Sequence, residues 1–133
     1  MTTRGVNSCQ IYRDDDDRRF FLRLLAETVS RLQWRSHAFC LMGTHYHLVV
    51  ETTVARLSDG LQRVNGVYAQ TFNRKHRRTG HLFGDRFASW VVNDEEHLAA
   101  ACRYVLENPV QAGLCDRVED WSWSASRNVR SLR

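Results

Sequence analysis

The chain has 133 residues, the usual size of one domain, and its 43% hydrophobic content and four Trp describe a globular chain rather than a disordered one. No apolar run approaches a membrane span, and the N-terminal "MTTRGVNSCQIYRDDDD" lacks the apolar core of a signal peptide, so a cytoplasmic protein with no membrane partner is expected. The net charge of +4 is uneven: from Gly60 to Asn93 the single acid is Asp85, against Arg63, Arg74, Lys75, Arg77, Arg78 and Arg86, which makes this segment a candidate nucleic-acid face.

Cys9, Cys40, Cys102 and Cys115 form no Cys-x-x-Cys pair, which speaks for reduced thiols and against a zinc knuckle or a disulfide framework. There is no internal repeat, no low-complexity stretch and one Pro, so residues 1–133 read as a single domain. In chain order, "DDDDRRFFLRLLAETVSRLQ" is a helix whose Phe21, Leu24, Leu25, Thr28 and Leu32 form a stripe at helical spacing. Its four leading Asp suit a helix cap and the helix dipole better than a metal.

"RSHAFCLM" and "HYHLVVE" read as two strands joined at Gly43-Thr44, a hairpin. A second helix is predicted from about Leu57 to Phe72, with Leu61, Val64, Tyr68 and Phe72 on one face, ending in the basic turn "NRKHRRTGH". "LFGDRFASWVV" is the next strand region. "NDEEHLAAACRYVLENP" is a third helix, opened by Asn93 or Asp94 and stopped at Pro109. Helices mixed with hairpin strands, rather than strict strand-helix repetition, point to an α+β fold with an antiparallel sheet.

Two features carry chemistry. His45 and His47 stand two apart on a strand, so they share one face about 7 Å apart and can converge on one ion, while Tyr46 points the other way. On the third helix Leu98, Cys102, Val105 and Leu106 define the apolar stripe, with His97, Tyr104 and Asn108 together on its edge. A helix packed by that stripe on the sheet can hang a phenol and an amide over the histidines. Histidines that merely pack and hydrogen-bond, and a Tyr at the rim of an ordinary core, remain the plainer alternatives.

"LMGTHYHLVVE" resembles the HUH motif (His, hydrophobic, His) of single-tyrosine transposases, and "RYVLENPVQAGL" resembles the tyrosine helix of their REP-associated branch. "GHLFGDRFASWVV" between them and "DWSWSAS" after them resemble the same branch in the same order. The resemblance implies a ferredoxin-like domain that cuts and rejoins single-stranded DNA through a covalent 5′-phosphotyrosine, with a divalent metal, and with hairpin DNA as its partner. It makes His45 and His47 the metal-binding pair, Tyr104 the nucleophile on the C-terminal helix, and Asn108 a third metal ligand. Gly43-Thr44 departs from the frequent Pro-Asn before the first histidine, which alters the turn but not the ligands. The start at "MTTRGVN" lacks several residues of a first, central strand, which implies either a start assigned too late or a truncated copy with a weakened sheet.

The residue types suit this chemistry. Attack on a phosphodiester builds negative charge on the phosphate oxygens, which a bound cation offsets. A free phenol is mostly protonated at neutral pH and must be activated by its position or by that cation. Two imidazoles and an amide oxygen suit Mg²⁺ or Mn²⁺, whereas a structural zinc site would use thiolates. Glu51 shares the histidine face but lies about 13 Å beyond His47, too far for a ligand.

Arg74, Lys75, Arg77 and Arg78 are candidate grips on a hairpin backbone, although basic residues at a helix C-terminus also suit the dipole. Arg86 and Arg103 are candidate phosphate contacts, and Trp121 and Trp123 suit packing on the sheet better than base stacking. The rival functions are an inactive, domesticated binder of structured DNA and a metal-dependent hydrolase that activates water. Tyr104 serves either its own histidines or those of a second copy in a homodimer.

Overall fold

The computed structural model describes residues 2–4, 10–84, 92 and 94–125, the first three by their backbone alone. Helix α1, Asp15–Arg31, begins where the Asp14 carboxylate accepts the Asp17 backbone N–H at 2.8 Å, with Asp15, Asp16 and Asp17 in the first turn at the positive end of the dipole. The four-Asp run is therefore a helix start. Phe21, Leu24, Leu25 and Thr28 are buried as the spacing predicts, each Leu or Phe contributing about 1.5–3 kcal/mol.

The hairpin forms as strands β2, Arg35–Leu41, and β3, His45–Glu51, antiparallel with Leu41 opposite Tyr46 and a register shift between Ser36 and Ala38. Gly43 and Thr44 make the two-residue turn, closed by the Met42 N–H donating to the His45 carbonyl at 2.8 Å. Strand β1, Thr2–Arg4, pairs antiparallel with the other side of β3, and β4, Ser124–Ala125, pairs antiparallel with the other side of β2, giving the order β1-β3-β2-β4. The β1-β3-β2 order, with a helix between β1 and β2, is the frame of a ferredoxin-like sheet.

Helix α2, Val54–Lys75, begins three residues before the expected Leu57 and ends three after Phe72. The Thr53 hydroxyl explains the early start: it accepts the Arg56 N–H at 3.2 Å, a cap that the apolar spacing does not report. Asn73, Arg74 and Lys75, read as part of the basic turn, are instead the last helical turn, closed by the His76 N–H on the Phe72 carbonyl at 2.9 Å.

Helix α3, Glu95–Gln111, is capped by Asp94, whose carboxylate accepts the His97 N–H at 2.7 Å. Asn93 lies outside the described residues. The helix runs through Pro109 rather than stopping there. A proline this close to the end removes one intrahelical bond, to the Val105 carbonyl, and the helix ends where Gly113 takes a φ of 76°. Gly113 N–H then donates to the Val110 carbonyl at 3.0 Å and Leu114 N–H to the Pro109 carbonyl at 2.9 Å, so the terminal carbonyls are satisfied. The strand expected over "LFGDRFASWVV" falls mostly on residues 85–91, outside the described residues.

Side chains alternate across the sheet. Phe39, Leu41, Tyr46 and Leu48 pack on Phe21, Leu25 and Val29 of α1 and on Leu61, Val64, Tyr68 and Phe72 of α2. Ala38, Cys40, Met42 and Val49 face the other way, against Leu98, Ala101, Cys102 and Val105 of α3. The result is three layers, α1 and α2, the sheet, and α3, and the histidines share the parity of Val49 and so face α3. Cys40, Cys102 and Cys115 are unlinked, and burial pushes the Cys40 thiol up to about 12. No described helix is long and apolar enough to cross a membrane.

Candidate active site

His45 and His47 are the first and third residues of β3, a strand that pairs with β1 on one side and β2 on the other. Their rings stand 4.8 Å apart between centroids and nearly perpendicular, at 87°. His47 is buried and His45 half-buried. Tyr46, between them, is fully buried on the opposite face, its ring 4.7 Å from Phe21 and its hydroxyl donating to Asn65 Oδ1 of α2 at 2.7 Å. Anchoring the middle residue on one face fixes the rotation of the strand that presents the histidines on the other.

α3 brings the third group. Its buried Val105 and half-buried Leu98, Ala101 and Cys102 seat it on the sheet, and the adjacent edge carries Tyr104. The Tyr104 ring lies 5.9 Å from the His47 ring in an edge-on arrangement, while 57% of the residue is exposed. A phenol held against an imidazole yet open to solvent is accessible to a large substrate. Asn108 follows one turn later, half-buried, about 6 Å along the helix axis. Direct ring contacts thus unite His45, His47 and Tyr104. His97, expected on the same edge, is exposed in the first turn of α3.

One neighbour of this site has no signature in the spacing. The Thr44 hydroxyl sits 3.1 Å from His45 Nδ1. Glu51, at the far end of β3, has its carboxylate 3.5 Å from His37 Nε2 and stays apart from the histidine pair, as its distance along the strand requires.

The basic residues sort into two groups. Lys75 Nζ donates to both Asp14 oxygens, at 2.8 and 3.0 Å, and to Asp17 Oδ1 at 2.9 Å, while Arg78 donates to Asn73 Oδ1 and the His81 carbonyl at 3.2 and 3.0 Å and closes its own turn. Arg74, Arg77 and Arg103 are exposed. Arg86 lies outside the described residues. Trp121 donates from Nε1 to the Leu41 carbonyl at 3.1 Å, and Trp123 packs on the main core beneath Arg18, whose guanidinium is 5.6 Å from its ring. Both indoles hold the C-terminal segment on the sheet.

A second group of potential ligands, Asp14, Asp17 and His76, has its ligand atoms within 4.8 Å of one another, in the α1 and α2 layer on the far side of the sheet from the histidine pair. There His76 Nε2 and Asp17 Oδ2 are 2.8 Å apart, and the Lys75 ammonium bridges the two carboxylates in the place that a metal would take. Burial alone would raise the Asp17 carboxyl, but the bonds from Lys75, the Arg13 N–H and His76 more than offset it and hold its pKa below the usual carboxylate value. The Lys75 bond lowers Asp14 likewise, and the two aspartates raise Lys75 to about 12. This cluster is an ion-pair tie between two helices. The two imidazoles of β3, neutral nitrogen donors beside an amide and with no thiolate, are the set that fits a divalent ion shared with phosphate and water.

The family model for IS200-like transposases matches residues 7–108, which include the histidine pair, Tyr104 and Asn108. The chain belongs to this transposase family. A protein of Haemophilus influenzae named as a REP-associated tyrosine transposase is 25% identical over 118 residues, covering 79% of this chain and 66% of that relative. A solved REP-associated tyrosine transposase, bound to a REP hairpin, superposes with a TM-score of 0.69 at 15% identity, over 92% of this chain and 72% of the other. At that identity the superposition speaks for the fold, and it confirms the α+β sheet-and-helix architecture expected of an IS200-like transposase.

Proposed function

We propose that this IS200-like transposase is a metal-dependent single-strand endonuclease and strand transferase that acts on hairpin-bearing DNA through a covalent 5′-phosphotyrosine on Tyr104. The observation that carries the reading is the seat of Tyr104: edge-on against buried His47, yet more than half exposed. A core tyrosine would be covered, and a surface one would not be held against the HUH pair. The family match supports the reaction class, and the solved relative's hairpin supports the partner.

His45, His47 and the Asn108 amide oxygen would hold Mg²⁺ or Mn²⁺, which polarises the scissile phosphate and offsets the charge that builds on its oxygens. Tyr104 Oη attacks phosphorus, the phosphorus–3′-oxygen bond breaks, and the phenolic proton passes to solvent while the departing 3′ oxygen takes one up. The 5′ end of the downstream fragment stays on the tyrosine. Resealing is the reverse: a 3′-hydroxyl attacks the phosphotyrosine and phenolate departs, so strand transfer needs no nucleoside triphosphate. Tyr104 packs on the His47 of its own chain, which supports a site assembled within one copy.

The test is Tyr104→Phe. It removes one oxygen from an exposed ring, so stability should change by about 0.5 kcal/mol or less. With Mn²⁺ and a 3′-labelled strand carrying a hairpin, the wild-type protein should keep the label through denaturation, and Tyr104→Phe should bind the strand but not cut it. Cutting by Tyr104→Phe, or wild-type cutting that leaves a free 5′ phosphate and no adduct, favours a water-activating hydrolase. Binding without any cutting by the wild type identifies an inactive binder of structured DNA.

A further inference from the structure

We infer that Thr44 is a positioning residue for His45: its hydroxyl accepts the Nδ1 proton and thereby commits His45 to the metal through Nε2. The inference rests on the reading of His45 and His47 as a metal-binding pair.

The turn that carries Thr44 is held on both sides. Met42 N–H donates to the His45 carbonyl at 2.8 Å, and Ile11 N–H donates to the Gly43 carbonyl at 3.0 Å. In the turn so held, the Thr44 side chain lies beside the ring that follows it, with Oγ1 3.1 Å from Nδ1.

An imidazole offers one in-plane direction at each nitrogen. A hydroxyl at hydrogen-bond distance from Nδ1 takes up that direction, so a metal would have to be met through Nε2. In the neutral ring one nitrogen carries the proton and the other the lone pair. A hydroxyl that donated to Nδ1 would force the proton onto Nε2 and prevent ligation there. One that accepts from Nδ1–H places the lone pair on Nε2, where the metal needs it. Free histidine side chains favour the Nε2–H form, so the unassisted ring is mostly in the wrong tautomer. A partner on the non-ligating nitrogen is the usual means of correcting this, and loss of such partners costs about 10–100-fold in metal affinity.

The departure from Pro-Asn at Gly43-Thr44 therefore does more than reshape a turn. It puts a hydroxyl on a ligand.

Four proteins decide the matter: the wild type, Thr44→Ser, Thr44→Val and His45→Ala, with Mn²⁺ alone as the probe, titrated calorimetrically without DNA. Nitrogen-15 NMR of the metal-free ring, at a pH where it is neutral, reports which nitrogen of His45 holds the proton. The expected result is proton on Nδ1 in the wild type and Thr44→Ser, a shift toward Nε2–H in Thr44→Val, and Mn²⁺ binding weakened about tenfold in Thr44→Val but little changed in Thr44→Ser. Wild-type His45 with its proton on Nε2 overturns the inference without recourse to any variant, which covers the case of a valine variant that does not fold. Thr44→Val binding Mn²⁺ as tightly as wild type while His45→Ala loses binding overturns the inference and leaves the ligand reading standing. His45→Ala binding as well as wild type removes the ligand reading, and the role of Thr44 falls with it.

Discussion

Asn108 is the one proposed ligand that presents a neutral amide and comes from α3 rather than from the sheet. As one oxygen among several donors it should be partly replaceable: Asn108→Gln keeps the amide and should retain more nicking activity than Asn108→Ala, which should lose about tenfold or more. Wild-type rates in both variants would leave Asn108 only as a residue of the last turns, its carbonyl taken by the Ala112 N–H. His45, His47 and Tyr104 were legible in the sequence because two periods place them: two residues per repeat puts both imidazoles on one strand face, and 3.6 puts Tyr104 on the rim of an apolar stripe. Thr44 was not legible as a partner, since a hydroxyl in a two-residue turn has no period and only the folded turn shows where it points. Nor was Lys75, whose partners Asp14 and Asp17 lie 61 and 58 residues away.

At the scale of elements, α2 is the layer whose fit was least readable, because its extent rests on the Thr53 cap and its approach on one glycine. A Cβ at Gly60 would stand 2.4 Å from Cζ2 of Trp34, a buried ring that has no room to yield, whereas one at Gly66 would meet nothing within 4 Å. Gly66→Ala should stabilise by about 0.5–1 kcal/mol through helix propensity, and Gly60→Ala should destabilise by about 1–3 kcal/mol. Urea unfolding distinguishes them by the sign of the shift, and a stabilised Gly60→Ala would mean that Trp34 is not the wall it is taken to be. The same helix is tied to the start of α1 by Asp14 and Asp17. Both carboxyl pKa values are lowered on folding, so the unfolded chain binds more protons as the solution is acidified; their stabilisation is present above about pH 4 and lost as the pH falls through the lowered values. Asp17→Asn should therefore lower the melting temperature at neutral pH and flatten its fall between about pH 5 and 2. A parallel downward shift at every pH would assign the loss to packing instead.

For the molecule as a whole, the sheet separates two kinds of basic and polar chemistry. The histidines and Tyr104 occupy the α3 side, and the basic end of α2 belongs to the other layer, where charge is already partly spent on the fold. Counting cations from the sequence therefore overstates what is free to meet DNA: Lys75 and Arg78 serve the helix tie and the turn, while Arg74 and Arg77 point outward. If the outward pair grips a hairpin backbone, each contact releases about one counterion, so Arg74→Ala and Arg77→Ala should each reduce the slope of log affinity against log salt by about 1. Their cutting rates at saturating DNA should match wild type, because neither residue touches the α3 side. Lys75→Ala should do the reverse, lowering the melting temperature while leaving the salt slope in place. Hairpin binding measured across a salt series, beside thermal melts of the same three proteins, provides the comparison. Slopes unchanged in both arginine variants would move the DNA grip away from the end of α2, with exposed Arg103 on α3, close to the chemistry, the next residue to test.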